Sequence, residues 1–171
     1  EFSPQGDMAL VTLIRPKNLV PSTQIERGFM ITEGIGVIET GDNGKVAQLL
    51  LDEPNRYFAD PYDVEISPDG SRAYVSHAGV DHISVIDLDK VREIMADNDQ
   101  ETLNRMANHL GMSPKFVIRR IPTGANPKGL ALSPDGGTLY VAERFDDMIA
   151  RIDTRQLAVS SRIDLEGPGT T

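Results

Sequence analysis

An internal repeat limits the fold of this chain more than any other feature. Residues 60–70 read DPYDVEISPDG, and residues 126–136 read NPKGLALSPDG. The offset of 66 residues holds without gaps for more than 25 positions, so that Tyr74-Val75 answers to Tyr140-Val141. A unit repeated in this way predicts a supersecondary element that buries its faces by stacking on its neighbours.

A weaker copy of the same unit opens the chain. Ser3-Pro4-Gln5-Gly6 and Ala9-Leu10-Val11 match the Ser-Pro-Asp-Gly and Ala-Tyr-Val stretches of the second copy, and residues 35–39 match residues 83–87. Val11 and Ile35 are 24 positions apart, whereas Val75 and Ile83 are 8 apart, which indicates a 16-residue insertion at about 12–34. This copy lacks the first of the four strands, so the sequence predicts only a partial unit here.

Each complete copy reads as four short strands separated by turns. In the last copy these are about 129–132, 138–142, 149–153 and 158–163. In the Ser-Pro-Asp-Gly turn, proline presets φ, aspartate bonds nearby backbone and glycine takes the position that needs positive φ. Repeated four-stranded antiparallel units are typical of β-propeller blades. We therefore predict an all-β propeller segment with a partial blade at 1–58, complete blades at 59–123 and 124–165, and a linker or tail at 166–171.

The strand pattern stops between residues 89 and 114, where apolar residues take helical spacing. This predicts one or two short helices at about 90–111, inserted between the third and fourth strands of the middle blade. Asp99 is the expected N-cap of the second helix, and Gly111 is the expected residue after its end. Met95, Met106 and Met112 either fill gaps against the blade or mark a surface for a partner.

The stretches 73–76, 83–87 and 121–136 resemble the YVTN-type β-propeller repeat, with Ser76-His77 and Ala142-Glu143 in place of the Thr-Asn that follows Tyr-Val in that family. The resemblance implies about seven blades, so we expect further blades from this or another chain to complete the ring. A three-blade protomer that closes as a dimer is the alternative. The resemblance also implies a periplasmic or extracellular location.

Composition excludes several classes of function. The chain of 171 residues has no cysteine and no tryptophan, and its net charge is −9. The lack of cysteine excludes disulfides, thiolate nucleophiles, Cys-ligated zinc and covalently attached c-type haem within these residues. The acidic balance argues against nucleic acid as a partner, and no apolar run reaches the ~18 residues of a membrane span.

Propeller topology groups the candidate functional residues at one face, where the loops surround the central channel. The candidates for ligand binding at this channel mouth are Asp60, Tyr62, His77, Asp81, His82, Asn126, Lys128, Glu143 and Arg144. Glu26, Arg27, Glu33, Asp146 and Asp147 fall on the same face. His77, Asp81 and His82 offer nitrogen and oxygen ligands to a divalent ion, although a polar loop with Asx-type turns explains the same spacing.

Three functions fit these observations. The first is a non-catalytic scaffold that presents its loops to a protein or ligand. The second is the propeller portion of a periplasmic redox enzyme, because YVTN-type propellers resemble the propeller parts of haem nitrite reductases and amine dehydrogenases, and some are joined to haem peroxidase-like domains. The third is a metal-dependent lactonase-like hydrolase, for which Asp60 and Asn126 are the candidates on the leading strands. Haem or a divalent metal would then belong to the complete assembly.

Overall fold

The computed structural model describes residues 1–16 and 30–165, which form three antiparallel sheets that we call the first, second and third blades. The first blade contains β1 (Met8–Pro16), β2 (Ile31–Glu39) and β3 (Val46–Leu50); the second contains β4 (Pro61–Ile66), β5 (Arg72–His77), β6 (His82–Asp87) and β7 (Val117–Pro122); the third contains β8 (Pro127–Leu132), β9 (Thr138–Glu143), β10 (Met148–Asp153) and β11 (Ala158–Asp164). Consecutive strands pair within each sheet. The predicted all-β propeller segment is confirmed.

The repeat is visible in the backbone itself. Three positions with positive φ recur 66 residues apart: Asp60 and Asn126 at 55° and 57°, Gly70 and Gly136 at 72° and 68°, and Asp81 and Asp147 at 54° and 51°. Aspartate and asparagine tolerate this conformation because their short side chains bond locally. The two complete blades therefore have equivalent loop conformations as well as equivalent strands.

The Ser-Pro-Asp-Gly turns form as the sequence predicts. The Asp69 carboxylate accepts hydrogen bonds from the Ser67 hydroxyl at 2.6 Å and from the Ser71 backbone N–H at 3.0 Å. Gly70 N–H donates to the Ser67 carbonyl at 2.8 Å, which closes the turn. Hydrogen bonding to Ser67 and Ser71 lowers the pKa of Asp69 to about 2, so the carboxylate that organises the turn stays ionised.

Two helices separate β6 from β7, as predicted, and a short 3-10 helix, which was not predicted, follows them. They are α1 (Leu88–Asp97), α2 (Gln100–Met106) and the 3-10 helix Ser113–Lys115. Asp99 caps α2 by accepting from Thr102 N–H, as expected, and Asp87 caps α1. The expectation for Gly111 is wrong, because α2 ends at Met106, where Asn108 N–H and His109 N–H turn back to Arg105 and Met106.

Two hydrophobic cores lie between the blades. The first joins the first two blades and also contains α1, α2 and Phe116, while the second joins the second and third blades through residues such as Tyr74, Val85 and Val141. Met95 and Met112 are buried in the first core and Met106 packs against it, which confirms the gap-filling role. The helical insertion is therefore part of the core that joins the first and second blades.

The first blade has three paired strands, and residues before β1 run alongside it. Phe2 forms an isolated bridge with Ala9. β1 and β2 have nine residues each, and their pairing continues to Pro16 and Ile31. The predicted insertion at 12–34 thus includes strand at 12–16 and 31–34, because the hairpin lengthens into it. Residues 17–29, with Glu26 and Arg27, lie outside the described part of the chain. Among the described residues, no helix is long and apolar enough to cross a membrane.

Candidate functional site

The candidate residues lie in, or in strands that adjoin, the loops that join second to third strands and one blade to the next. We call these the upper loops (51–60, 78–81, 123–126 and 144–147). Asp81 links two of them: its carboxylate accepts from Asn126 N–H at 2.8 Å, and its carbonyl accepts from Thr123 N–H at 2.9 Å. The Asn126 side-chain amide donates to the Ala78 carbonyl at 3.1 Å. These hydrogen bonds hold neighbouring loops together.

Tyr62 and Lys128 lie on the leading strands β4 and β8 and remain accessible. Tyr62 is 54% exposed, and the Lys128 ammonium lies 4.3 Å from the centre of its ring. Arg144 is exposed on its loop, while Asp60 is half-buried and its carbonyl accepts from Ala78 N–H at 2.9 Å. These four residues offer accessible groups in or beside the upper loops: one phenol, two cations and one carboxylate.

His77 lies at the end of β5 and is fully buried, which corrects its expected place in a loop. Its Nδ1 is 2.7 Å from the Phe58 carbonyl and its Nε2 is 2.5 Å from the Ser84 hydroxyl. A carbonyl only accepts, so Nδ1 carries the proton and Nε2 accepts from Ser84. Burial, with the nearby Arg120 cation, lowers the pKa of His77 to about 3. His77 is therefore a neutral structural group with both ring nitrogens occupied.

Arg120 completes this cluster and was not predicted from the sequence. Its guanidinium donates to Ser84 Oγ and, at 2.5 Å, to the Leu51 carbonyl, and it lies 3.6 Å from the centre of the Phe58 ring. Burial lowers the pKa of Arg120 to about 10, so it remains a cation at neutral pH. Only its position on β7 beside Ser84 gives it this role, and no sequence motif marks it.

Glu143 is the repeat equivalent of His77 and is also buried in a strand. The expectation that it lies in a loop is therefore wrong. Its carboxylate accepts from Gly124 N–H at 2.6 Å and from Arg162 Nε at 2.8 Å. The hydrogen bond to Glu143 raises the pKa of Arg162. This ion pair connects the end of β9 to β11 and to the loop before the third blade.

Glu33 and Asp52 form a buried carboxyl pair in the first blade. Asp52 is fully buried and accepts from the backbone N–H groups of Glu33 and Phe58, both at 2.8 Å. Burial of Glu33, together with Asp52 and Asp60, raises the pKa of Glu33 to about 8. Glu33 thus holds a proton at neutral pH. The sequence places Glu33 on this face, but Asp52 has no signal, because its role depends on the loop that folds over it.

His82 is the first residue of β6, again in a strand where the sequence suggested a loop. Its Nδ1 is 2.5 Å from the Val80 carbonyl, and its ring packs edge-on against Phe58. Asp146 accepts from Ala125 N–H at 2.6 Å. Within 1–16 and 30–165, no three or more His, Asp and Glu side chains are arranged to hold a metal ion.

Comparison with known proteins gives one strong sequence match. The chain is 35% identical over 153 residues to hydrazine synthase subunit beta of Kuenenia stuttgartiensis. This match covers 90% of the chain but only 40% of that protein. The solved Kuenenia stuttgartiensis hydrazine synthase superposes with a TM-score of 0.86 at 34% identity, over 90% of this chain and 44% of that one. No protein-family model matches the chain.

A more distant structure shares the fold alone. The periplasmic gluconolactonase of Pseudomonas aeruginosa superposes with a TM-score of 0.58 at 17% identity, over 99% of this chain and 42% of that one. The chain is thus a propeller segment that is similar in sequence and structure to part of a hydrazine synthase subunit.

Proposed function

We propose that this chain is a non-catalytic scaffold segment of a hydrazine synthase-like subunit, within a propeller of the YVTN type. The observation that carries the proposal is the similarity to hydrazine synthase subunit beta across 90% of the chain. That similarity extends to the backbone, with a TM-score of 0.86. The word subunit in that protein's name points to an assembly, so the partners are further propeller blades and other protein chains.

The hydrogen bonds made by the candidate side chains in and beside the upper loops support a scaffold role. His77, Asp81 and Glu143 each hold neighbouring strands or loops in place through their polar atoms. Groups held in this way keep the loops in a fixed shape, which suits a surface that positions a partner. Tyr62, Lys128 and Arg144 are then the side chains offered for contact.

Haem belongs to this proposal only as a group held elsewhere in the assembly. An axial histidine needs a free ring nitrogen facing the iron. His77 does not fit, because both of its nitrogens are hydrogen-bonded inside the blade. As part of the proposal, any haem of the assembly is held by residues outside this chain, and the location is periplasmic or extracellular.

A segment exchange tests the function. The matched 153 residues of the Kuenenia stuttgartiensis subunit beta are replaced by the corresponding residues of this chain, and the subunit is assembled with the remainder of that enzyme. We expect the exchanged subunit to enter the complex, measured by native mass, and the complex to form hydrazine.

The matched control exchanges the same region for that of the Pseudomonas aeruginosa gluconolactonase, which has the same fold at 17% identity. We expect this control subunit to be left out of the complex. A subunit that carries this chain's residues and folds, but is also left out, would contradict the proposal.

A further inference from the structure

The blades meet one another through equivalent apolar positions. We call the side of a blade that meets the preceding blade its receiving face. Ala73 and Val75 of β5 and Ile86 of β6 form this face in the second blade, and each is fully buried. In the third blade the equivalents are Leu139, Val141 and Ile152, also fully buried.

The first blade repeats this face, and no blade among residues 1–16 and 30–165 lies against it. Ala9 pairs with Ile38, and Ile38 pairs with Val46, in the register that Ala73, Ile86 and Val117 show in the second blade. Val11, Ile38 and Val46 are 50%, 37% and 46% exposed. This receiving face is apolar and shaped for another blade.

The opposite side of each blade, its outgoing face, meets the next blade. The cross-strand pairs at its centre are Leu10 with Val37 in the first blade and Tyr74 with Val85 in the second. All four side chains are buried. In the third blade the equivalent pair is Tyr140 with Arg151, and Arg151 is exposed, with its guanidinium 5.9 Å from the Tyr140 ring centre.

The two end faces are therefore not complementary. If a second copy placed its receiving face on the third blade, Ala9, Val11, Ile38 and Val46 would cover Arg151 with apolar groups. A cation buried without a partner is strongly unfavourable, whereas a carboxylate opposite it restores the balance. Val37 and Val85 occupy this position in the first two blades, and Arg151 occupies it in the third. The sheet that covers the third blade must therefore offer a group that pairs with a cation.

We propose that the outgoing face of the third blade is covered by a propeller sheet that carries a carboxylate opposite Arg151, and that this sheet is not the first blade of a second copy. The inference rests on the proposed function, since the chain spans 40% of the length of the curated relative and the remainder provides room for further blades. Arg151 then acts as an inter-blade ion-pairing residue.

The test uses the exchanged subunit described above and follows its thermal unfolding midpoint. We expect Arg151→Val to lower the midpoint by about 5 °C and Arg151→Glu to lower it further. The matched control is Arg119→Val, because Arg119 is an exposed arginine on the outgoing face of the second blade, paired with Val85 on the outer strand. We expect this control to move the midpoint by about 1 °C or less. An Arg151→Val variant that is unchanged or more stable would overturn the proposal.

A second measurement does not depend on the exchanged subunit. In sedimentation of this chain alone, we expect the wild type to show no dimer and the Arg151→Val variant to show a measurable dimer fraction. A wild-type chain that already pairs, and that Val11→Asp separates, would overturn the inference. Failure of the proposed function is distinct: the exchanged subunit would then stay out of the complex while the Arg151 effect on its unfolding persisted.

Discussion

Near the upper loops, the second and third blades are each held together by different side chains at equivalent positions of the repeat. The second blade uses His77, Ser84 and Arg120, and the third uses Glu143, Ala150 and Arg162. In the third blade a buried carboxylate meets the arginine directly at 2.8 Å. In the second blade the serine hydroxyl lies between imidazole and guanidinium and bonds to both.

The difference shows how one backbone frame accepts two chemistries. A neutral imidazole presents one acceptor atom and cannot balance a buried cation. In the second blade Ser84 therefore lies between the two groups, and the Glu53 carboxylate, 3.5 Å from the guanidinium, and the Phe58 ring offset the charge of Arg120. Glu143 carries the opposite charge and needs no intermediary, which is consistent with Ala150 at that position. The charge of the first residue thus decides what the other positions must supply.

Removal of the third blade's arginine is the largest expected effect. Arg162→Ala leaves the fully buried Glu143 carboxylate with Gly124 N–H as its remaining hydrogen-bond donor. We expect a loss of about 3 kcal/mol in the free energy of unfolding, measured by urea denaturation. Adding Glu143→Gln to this variant should recover part of the loss, because the buried charge disappears. If the double variant were less stable than the single one, charge would not be the cause.

The first blade differs from the other two because it buries two carboxyl groups, Glu33 and Asp52, and Glu33 holds a proton. Its stability should therefore depend on pH. The pKa of Glu33 rises from 4.5 to about 8 on folding, so the folded state binds the proton more tightly. This contribution to stability is complete below about pH 4.5 and is lost as the pH rises through 8. We therefore expect wild type to lose stability over this window relative to Glu33→Gln.

The measurement is the difference in unfolding free energy between the two proteins from pH 4.5 to pH 9. Asp42→Asn, a change at an exposed carboxylate on a turn of the same blade, is the control and should show no such window. A constant difference between wild type and Glu33→Gln would mean that Glu33 does not bind this proton.

The intermediary hydroxyl provides a matched pair of variants. Ser84→Ala removes the group that donates to His77 Nε2 and accepts from Arg120, both of them buried. We expect a loss of about 1.5 kcal/mol in chemical denaturation. The reverse change at the equivalent position, Ala150→Ser, should cost about 0.5 kcal/mol or less if the hydroxyl bonds to the ion pair. Equal effects at the two sites would remove the distinction between the blades.

The turns of the repeat offer the smallest contrast. Gly136 has a φ of 68°, and a Cβ there would lie 2.9 Å from Pro68 Cδ in the neighbouring turn. Gly6 has a φ of 71° with open space around it. Gly6→Ala should cost about 1 kcal/mol for the backbone conformation, and Gly136→Ala slightly more because of the contact. Thermal unfolding of the two variants isolates that contact, and equal midpoints would show that it carries no cost.

Much of the fold followed from local sequence patterns. The Ser-Pro-Asp-Gly turns, the four-strand order and the helical insertion each depend on residues within a few positions of one another, and the structure confirms them. The Gly111 expectation failed because helix ends depend on competing local turns. The candidate site was harder, since the sequence did not indicate that His77 and Glu143 are buried in strands.

By itself, the sequence determined the repeat and the positive φ of the glycines in its Ser-Pro-Asp-Gly turns, because glycine adopts this conformation at no steric cost. Tertiary structure alone decided that His77 is buried and neutral, that Asp52 faces Glu33, and that Arg120 meets Ser84. These pairings join residues up to 36 positions apart. Their energies come from burial and charge, which exist only once the blades have packed.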